Sequence, residues 1–103
     1  MIVTTTTPSR EEADAISSLL VEGRLAACVQ VLGPIESRYR WKGEVETATE
    51  WMCVIKTTAD RFDAVEQALR NAHSYDEPEI LAVAVEAGSA GYLAWLRACS
   101  GRS

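Results

Sequence analysis

The chain carries one histidine, and it stands in an acidic neighbourhood. His73 is followed by Asp76, Glu77 and Glu79. Neutral imidazole is a ligand for copper, zinc and nickel, and carboxylates add oxygens. His73, Asp76 and Glu79 are therefore the candidate metal ligands. A competing structural role exists, because imidazolium is favoured at the negative end of a helix. A second group mixes aromatic, hydroxyl and charged side chains: Ser37, Tyr39, Trp41, Glu50, Lys56, Tyr75 and Glu79. Aromatic walls with a few convergent charges suit a small ligand. The same residue types also build interface cores, where a Lys–Glu pair fixes register. The three cysteines are Cys28, Cys53 and Cys99, an odd number with no CxxC spacing. Cys28 lies in the apolar run Ala26-Ala27-Cys28-Val29, so it is expected to be buried and unreactive, as are Cys53 and Cys99. No GxSxG, P-loop, HExxH or GxGxxG pattern is present, and no enzyme is expected.

The elements that must position these residues centre on residues 35–58, which read as one long hairpin. Ile35, Ser37, Tyr39 and Trp41 alternate with Glu36, Arg38 and Arg40, as strand side chains do. Lys42-Gly43 supplies the turn. On the return arm Trp51, Cys53 and Ile55 alternate with Met52, Val54 and Lys56. Such a hairpin overhangs a 103-residue body and is expected to join other copies.

The rest follows in order. Residues 2–7 form a β-branched strand stopped by Pro8. Ser9 and Glu12 read as a capping box, opening a helix with Ala13, Ile16, Leu19 and Leu20 on one stripe and Gly23 as its stop. Residues 25–32 are a strand, and Gly33-Pro34 is a kink leading into the hairpin. Thr57 and Asp60 read as a second capping pair, ahead of a helix with Phe62, Val65, Leu69 and Ala72 on its stripe and its end near His73. Residues 79–85 are a continuous apolar run, expected as a central strand. Ser89 caps a last helix bearing Tyr92, Leu93, Trp95 and Leu96, and residues 101–103 are expected to fray. This order predicts a single α+β domain over 1–103, a ferredoxin-like split βαβ sandwich with an added C-terminal helix. Both helices then cover one sheet face, and the bare face favours self-association.

A net charge of −5 and 48% hydrophobic residues fit an ordinary globular domain. The acidic balance argues against nucleic acid as a partner. Nothing approaches a membrane span or a signal peptide, and the cysteine usage suggests a reducing, cytoplasmic setting.

Four linked motifs carry a resemblance. They are Glu36-Ser37-x-Tyr39-x-Trp41-x-Gly43, Lys56-Thr57, His73-x-Tyr75-x-x-Pro78-Glu79-Ile80 and Tyr92-Leu93-x-Trp95. Over nearly the full chain the sequence resembles the CutA-type divalent-cation tolerance proteins. The resemblance implies a PII-like homotrimer in which the hairpin joins neighbours. The aromatic and charged residues above would then line an inter-subunit cleft. It also implies a role in tolerance to divalent metal, copper above all, with copper bound by some members. Those members carry a cysteine late in the first strand and a second histidine beside the motif histidine; Thr5 and Ala72 stand there in this chain. Weak copper binding is the expectation. The alternatives are a PII-like sensor of a small, anionic or nucleotide-like ligand and a purely structural trimer.

Overall fold

The computed structural model describes residues 1–100, so the expectation for 101–103 lies outside the described residues. Strand β1 (Ile2–Thr7), helix α1 (Arg10–Glu22), strands β2 (Cys28–Trp41) and β3 (Glu44–Lys56), helix α2 (Phe62–Ala72), strand β4 (Leu81–Val83) and helix α3 (Ala90–Ser100) follow in order. The sheet runs β2-β3-β1-β4, and every neighbouring pair is antiparallel. This is the α+β, ferredoxin-compatible arrangement predicted.

Register assigns the two faces. Val3, Cys53 and Ile55 are fully buried with Ala13, Ile16, Leu20, Val65 and Leu69, so α1 and α2 cover that face. The alternate positions, including Thr4, Thr6, Met52, Val54, Leu81 and Val83, point the other way. Leu81 and Val83 are each 61% exposed. The run 79–85 is therefore not a central strand. Only three of its residues pair, along one side of β1, because β3 already occupies the other.

The hairpin forms as read. Lys42 and Gly43 both take positive φ, 50° and 83°, which matches the twist of a two-residue hairpin turn. The register shifts between Leu32 and Ile35, and the Gly33-Pro34 bond there is cis. Gly33 is needed for space: a Cβ there would collide with Trp51 Cδ1. Trp51 packs against the core, so of the hairpin's two tryptophans only Trp41 belongs to the projecting part. The molecule measures 45 × 26 × 22 Å as a result. Residues 25–27 do not join β2, since the Leu25 and Ala26 amides fold back onto the Leu20 carbonyl.

Local details depart from the sequence pattern. Ser9 Oγ accepts the Glu12 amide at 3.1 Å, but the Glu12 carboxylate does not return to Ser9. It accepts the Ser74 amide at 3.1 Å instead. Leu19 turns outward, 46% exposed. Gly23 ends α1 with an ordinary φ, and Arg24 takes the left-handed position at 60°. Thr57 does not cap: its hydroxyl donates to the Leu25 carbonyl at 2.6 Å, and Thr58 precedes a 3-10 turn at Ala59–Arg61. Ala72 is exposed, leaving Val65 and Leu69 as the buried stripe of α2. Helix α3 is clamped at its C-terminal end, where Arg61 donates to the Ser100 carbonyl and Arg24 to the Ala98 carbonyl.

All three cysteines are free, but only Cys53 is fully buried; Cys28 and Cys99 are half-buried. Burial, then the nearby Asp14 and Glu12 carboxylates, push the Cys53 thiol up to about 11. At pH 8 roughly one Cys53 in a thousand is thiolate by that value. A thiol reagent at pH 8 should label no more than two cysteines per native chain, and the third after denaturation. Three equivalents at one rate would contradict this burial. Gly33→Ala should cost about 1–3 kcal/mol in denaturant unfolding, because Trp51 must move to admit the methyl.

Candidate functional site

The residues singled out in sequence converge where the hairpin leaves the body. A concavity of about 590 Å³ opens there, lined by Ser37, Tyr39, Trp41, Glu50, Tyr75 and Glu79. That is every expected cleft residue except Lys56. Lys56 pairs with Ile2 and Cys28 and lies 5.8 Å from the Tyr92 ring, away from the cleft. Lys56 stands at the far end of β3 from this cleft, well past Glu46, the register partner of Tyr39, so within one subunit it does not join the group.

Two elements build the walls. The hairpin supplies Ser37 and Tyr39 from β2 and Glu46 and Glu50 from β3; Tyr39 sits directly opposite Glu46 in register. Residues 73–80 supply the other wall. This loop is held by five side-chain hydrogen bonds, one of them the Ser74 amide's to Glu12 described above. Thr5 Oγ1 meets His73 Nε2 at 3.1 Å, and the Tyr75 amide donates to His73 Nδ1 at 3.2 Å. Nδ1 therefore accepts, and the network assigns the proton to Nε2, which donates to Thr5. Thr4 donates to Glu79 Oε2 at 2.9 Å, and the Tyr75 hydroxyl donates to Glu50 Oε2 at 2.8 Å. Burial, followed by the Glu50 hydrogen bond and charge, pushes the Tyr75 phenol well above its usual range. It stays a donor.

The three candidate metal ligands separate. The His73 side chain is fully buried behind the loop, 3.4 Å from Glu12 Oε2, with both ring nitrogens engaged. Asp76 and Glu79 line the cleft instead. Among the described residues no three His, Cys, Asp or Glu side chains gather as a metal-holding group. The lining carries five carboxylates, Glu46, Glu50, Asp76, Glu77 and Glu79, against the single cation Arg38. Arg38 itself reaches Glu36 at 3.4 Å on the solvent side. The cleft is thus an acidic, aromatic-walled space suited to a positive ligand and hostile to an anion.

Sequence reasoning missed Glu12, whose spacing from Ser9 pointed to a cap; only the fold brings it to Ser74 and His73. It also missed Thr6, Arg38 and Glu46 in the lining. Glu46 was legible in principle, since the hairpin turn fixes its pairing with Tyr39.

No helix among the described residues is long and apolar enough to cross a membrane. Comparison with known proteins gives one consistent family. The CutA1 divalent ion tolerance protein model matches residues 1–99. A divalent-cation tolerance protein CutA from Thermus thermophilus is 41% identical, and the match covers 97% of both chains. The human Protein CutA is 39% identical across 89% of this chain, which spans only 51% of the human protein's length. Among solved structures, the Thermus thermophilus Cut A1 protein superposes with a TM-score of 0.95 at 41% identity, covering 97% of each chain. The periplasmic divalent cation tolerance protein CutA from Archaeoglobus fulgidus gives 0.93 at 37% identity over 96% of each chain. With its sequence, fold and cleft-forming motifs all in agreement, this chain belongs to the CutA1 divalent ion tolerance family.

Proposed function

We propose that the protein works as a cytoplasmic homotrimer in tolerance to divalent metal ions, copper above all. Each subunit meets cations loosely at cleft carboxylates and not in a closed metal centre. His73 carries the loose reading. Its imidazole is buried with both nitrogens hydrogen-bonded, so it offers no free lone pair. Copper gains most from imidazole and thiolate donors, whereas Asp76 and Glu79 offer oxygen alone. The residues of one subunit fit weak carboxylate contact with a cation and do not fit a dedicated copper site.

Two surfaces support the trimer. The projecting hairpin leaves Tyr39, Trp41 and Val45 between 41% and 59% exposed. The sheet face opposite the helices leaves Leu32, Leu81 and Val83 exposed beside an edge strand with a free ladder side. Apolar patches of this kind are covered most simply by further copies. The three free cysteines support a reducing compartment.

A second reading, a PII-like small-ligand sensor, is favoured by the cleft, whose volume of about 590 Å³ falls in the range of small-molecule sites. Its ligand is not anionic on this charge pattern. A trimer serving only as a scaffold shares the same surfaces and leaves the cleft without a task.

Calorimetric titration with copper(II) should give a weak isotherm that His73→Ala leaves within about twofold in affinity and that Asp76→Asn with Glu79→Gln weakens several-fold. A tight isotherm abolished by His73→Ala would overturn the loose-contact reading. In light scattering the wild type should weigh three chains, and Leu81→Glu with Val83→Glu should shift the mass toward one. An unchanged mass would show that this face is not an assembly surface.

A further inference from the structure

We infer that His73 and Glu12 form a proton-operated latch on one wall of the cleft: neutral imidazole holds the Tyr75 amide, and imidazolium releases it in favour of the Glu12 carboxylate. The inference names a regulation of the cleft described above and rests on that cleft being the working site.

The choice arises at one atom. His73 Nδ1 has two neighbours with opposite demands. The Tyr75 amide lies 3.2 Å away and needs a lone pair. Glu12 Oε2 lies 3.4 Å away and needs a proton. Nδ1 serves one of them in each protonation state and never both. Nε2 takes no part in the choice, because it donates to Thr5 Oγ1 whether the ring is neutral or charged. The Ser74 amide is also indifferent. It donates to Glu12 Oε2 at 3.1 Å, and a carboxylate oxygen has room for a second donor.

The surroundings allow both states. The His73 side chain is fully buried, and that of Glu12 is largely so. A buried imidazolium is costly unless an anion stands beside it, and Glu12 is that anion. The other groups around the ring do not compete. Tyr75, whose ring centre lies 5.1 Å from that of the imidazole, keeps its phenolic proton. Cys53, the register partner of Thr5 on β3, keeps its thiol proton. On the helices, Arg70 is turned to Glu66 and Glu77, and Asp14 to Arg10. Asp76 and Glu79 line the cleft in front of the loop.

The latch reaches the cleft through Tyr75. Its amide sits on the imidazole and its hydroxyl on Glu50 at 2.8 Å, so one residue ties the buried ring to the opposite wall. With a proton on Nδ1, N–H faces N–H, and the backbone at Tyr75 has to turn away. Acid thus loosens the wall next to Asp76, and neutral pH fixes it.

Amide hydrogen exchange followed by NMR, corrected for intrinsic rates and run without metal, tests this between about pH 7.5 and pH 5, where imidazole ordinarily changes charge. Toward acid the Tyr75 amide should lose roughly fivefold or more of its protection, while Ser74 keeps its own. The chain has one histidine, so its ring nitrogen signals are unambiguous, and they should move over the same interval as the Tyr75 response. His73→Asn, whose amide oxygen can accept from Tyr75 at any pH, should abolish that response. Glu12→Gln keeps an acceptor for Ser74 and removes the anion, so Tyr75 should stay protected to the acid end. Equal losses at Ser74 and Tyr75, no loss at Tyr75, or an unaltered response in either variant would overturn the inference. The copper titration above separates the two readings. A cleft that ignores copper but shows the Tyr75 response removes the working site alone, whereas copper binding without that response removes the latch alone.

Discussion

A hydroxyl taken out of water must find a partner, and the first strand of this protein takes out several at once. Thr4 to Thr7 run through the middle of the sheet, where Thr5 and Thr7 are fully buried. Each of the four has a use. Thr5 meets His73, Thr4 donates to Glu79, and Thr7 donates to the Ser9 carbonyl at 2.8 Å, while Thr6 lines the cleft. An apolar strand at that place would satisfy the core equally well, but it would leave the loop after α2 without its tethers. The polar strand thus converts the requirement that buried hydroxyls be paired into a fixed position for Tyr75 and Glu79, and with them for one wall of the cleft.

The other wall depends on the hairpin's exit from the body. Up to Leu32 the two arms lie over the helices or the sheet's open face; beyond the register shift at Gly33-Pro34 they carry Ser37, Tyr39 and Trp41 into solvent. Trp51, seated against Gly33, anchors the point of departure. The Tyr75–Glu50 bond then joins the two walls across the space between them. Five carboxylates against one arginine line this space, a charge balance opposite to that of a phosphate pocket.

Much of this was legible in the residue order. Alternation fixed both arms of the hairpin, helical spacing picked Ala13, Ile16, Leu20, Val65 and Leu69, and the motifs named five of the cleft's lining residues, Ser37, Tyr39, Trp41, Tyr75 and Glu79. What failed shares one cause: the competing partner was remote in sequence. Glu12 answers to Ser74 and not to Ser9, Thr57 answers to Leu25 and not to its own turn, and residues 79–85 are apolar because of the surface they present and not because they lie at the sheet's centre. His73 shows the same limit. Its chemistry suggested a ligand, while its surroundings make it a bridge between Thr5 and the Tyr75 amide. Propensity and spacing describe neighbours along the chain; they do not reveal which distant group will take a given lone pair.

The short β4 has a consequence of its own. It ladders with Ile2, Val3 and Thr4 alone, so the remaining length of β1 has the 73–80 segment beside it in place of a strand. Backbone pairing and the lining of the cleft are thereby assigned to separate stretches of one connection. Side chains such as Asp76 and Glu77 can be exchanged without disturbing a single rung of the sheet, which leaves the chemistry of the recess free to diverge among relatives while their architecture stays superposable.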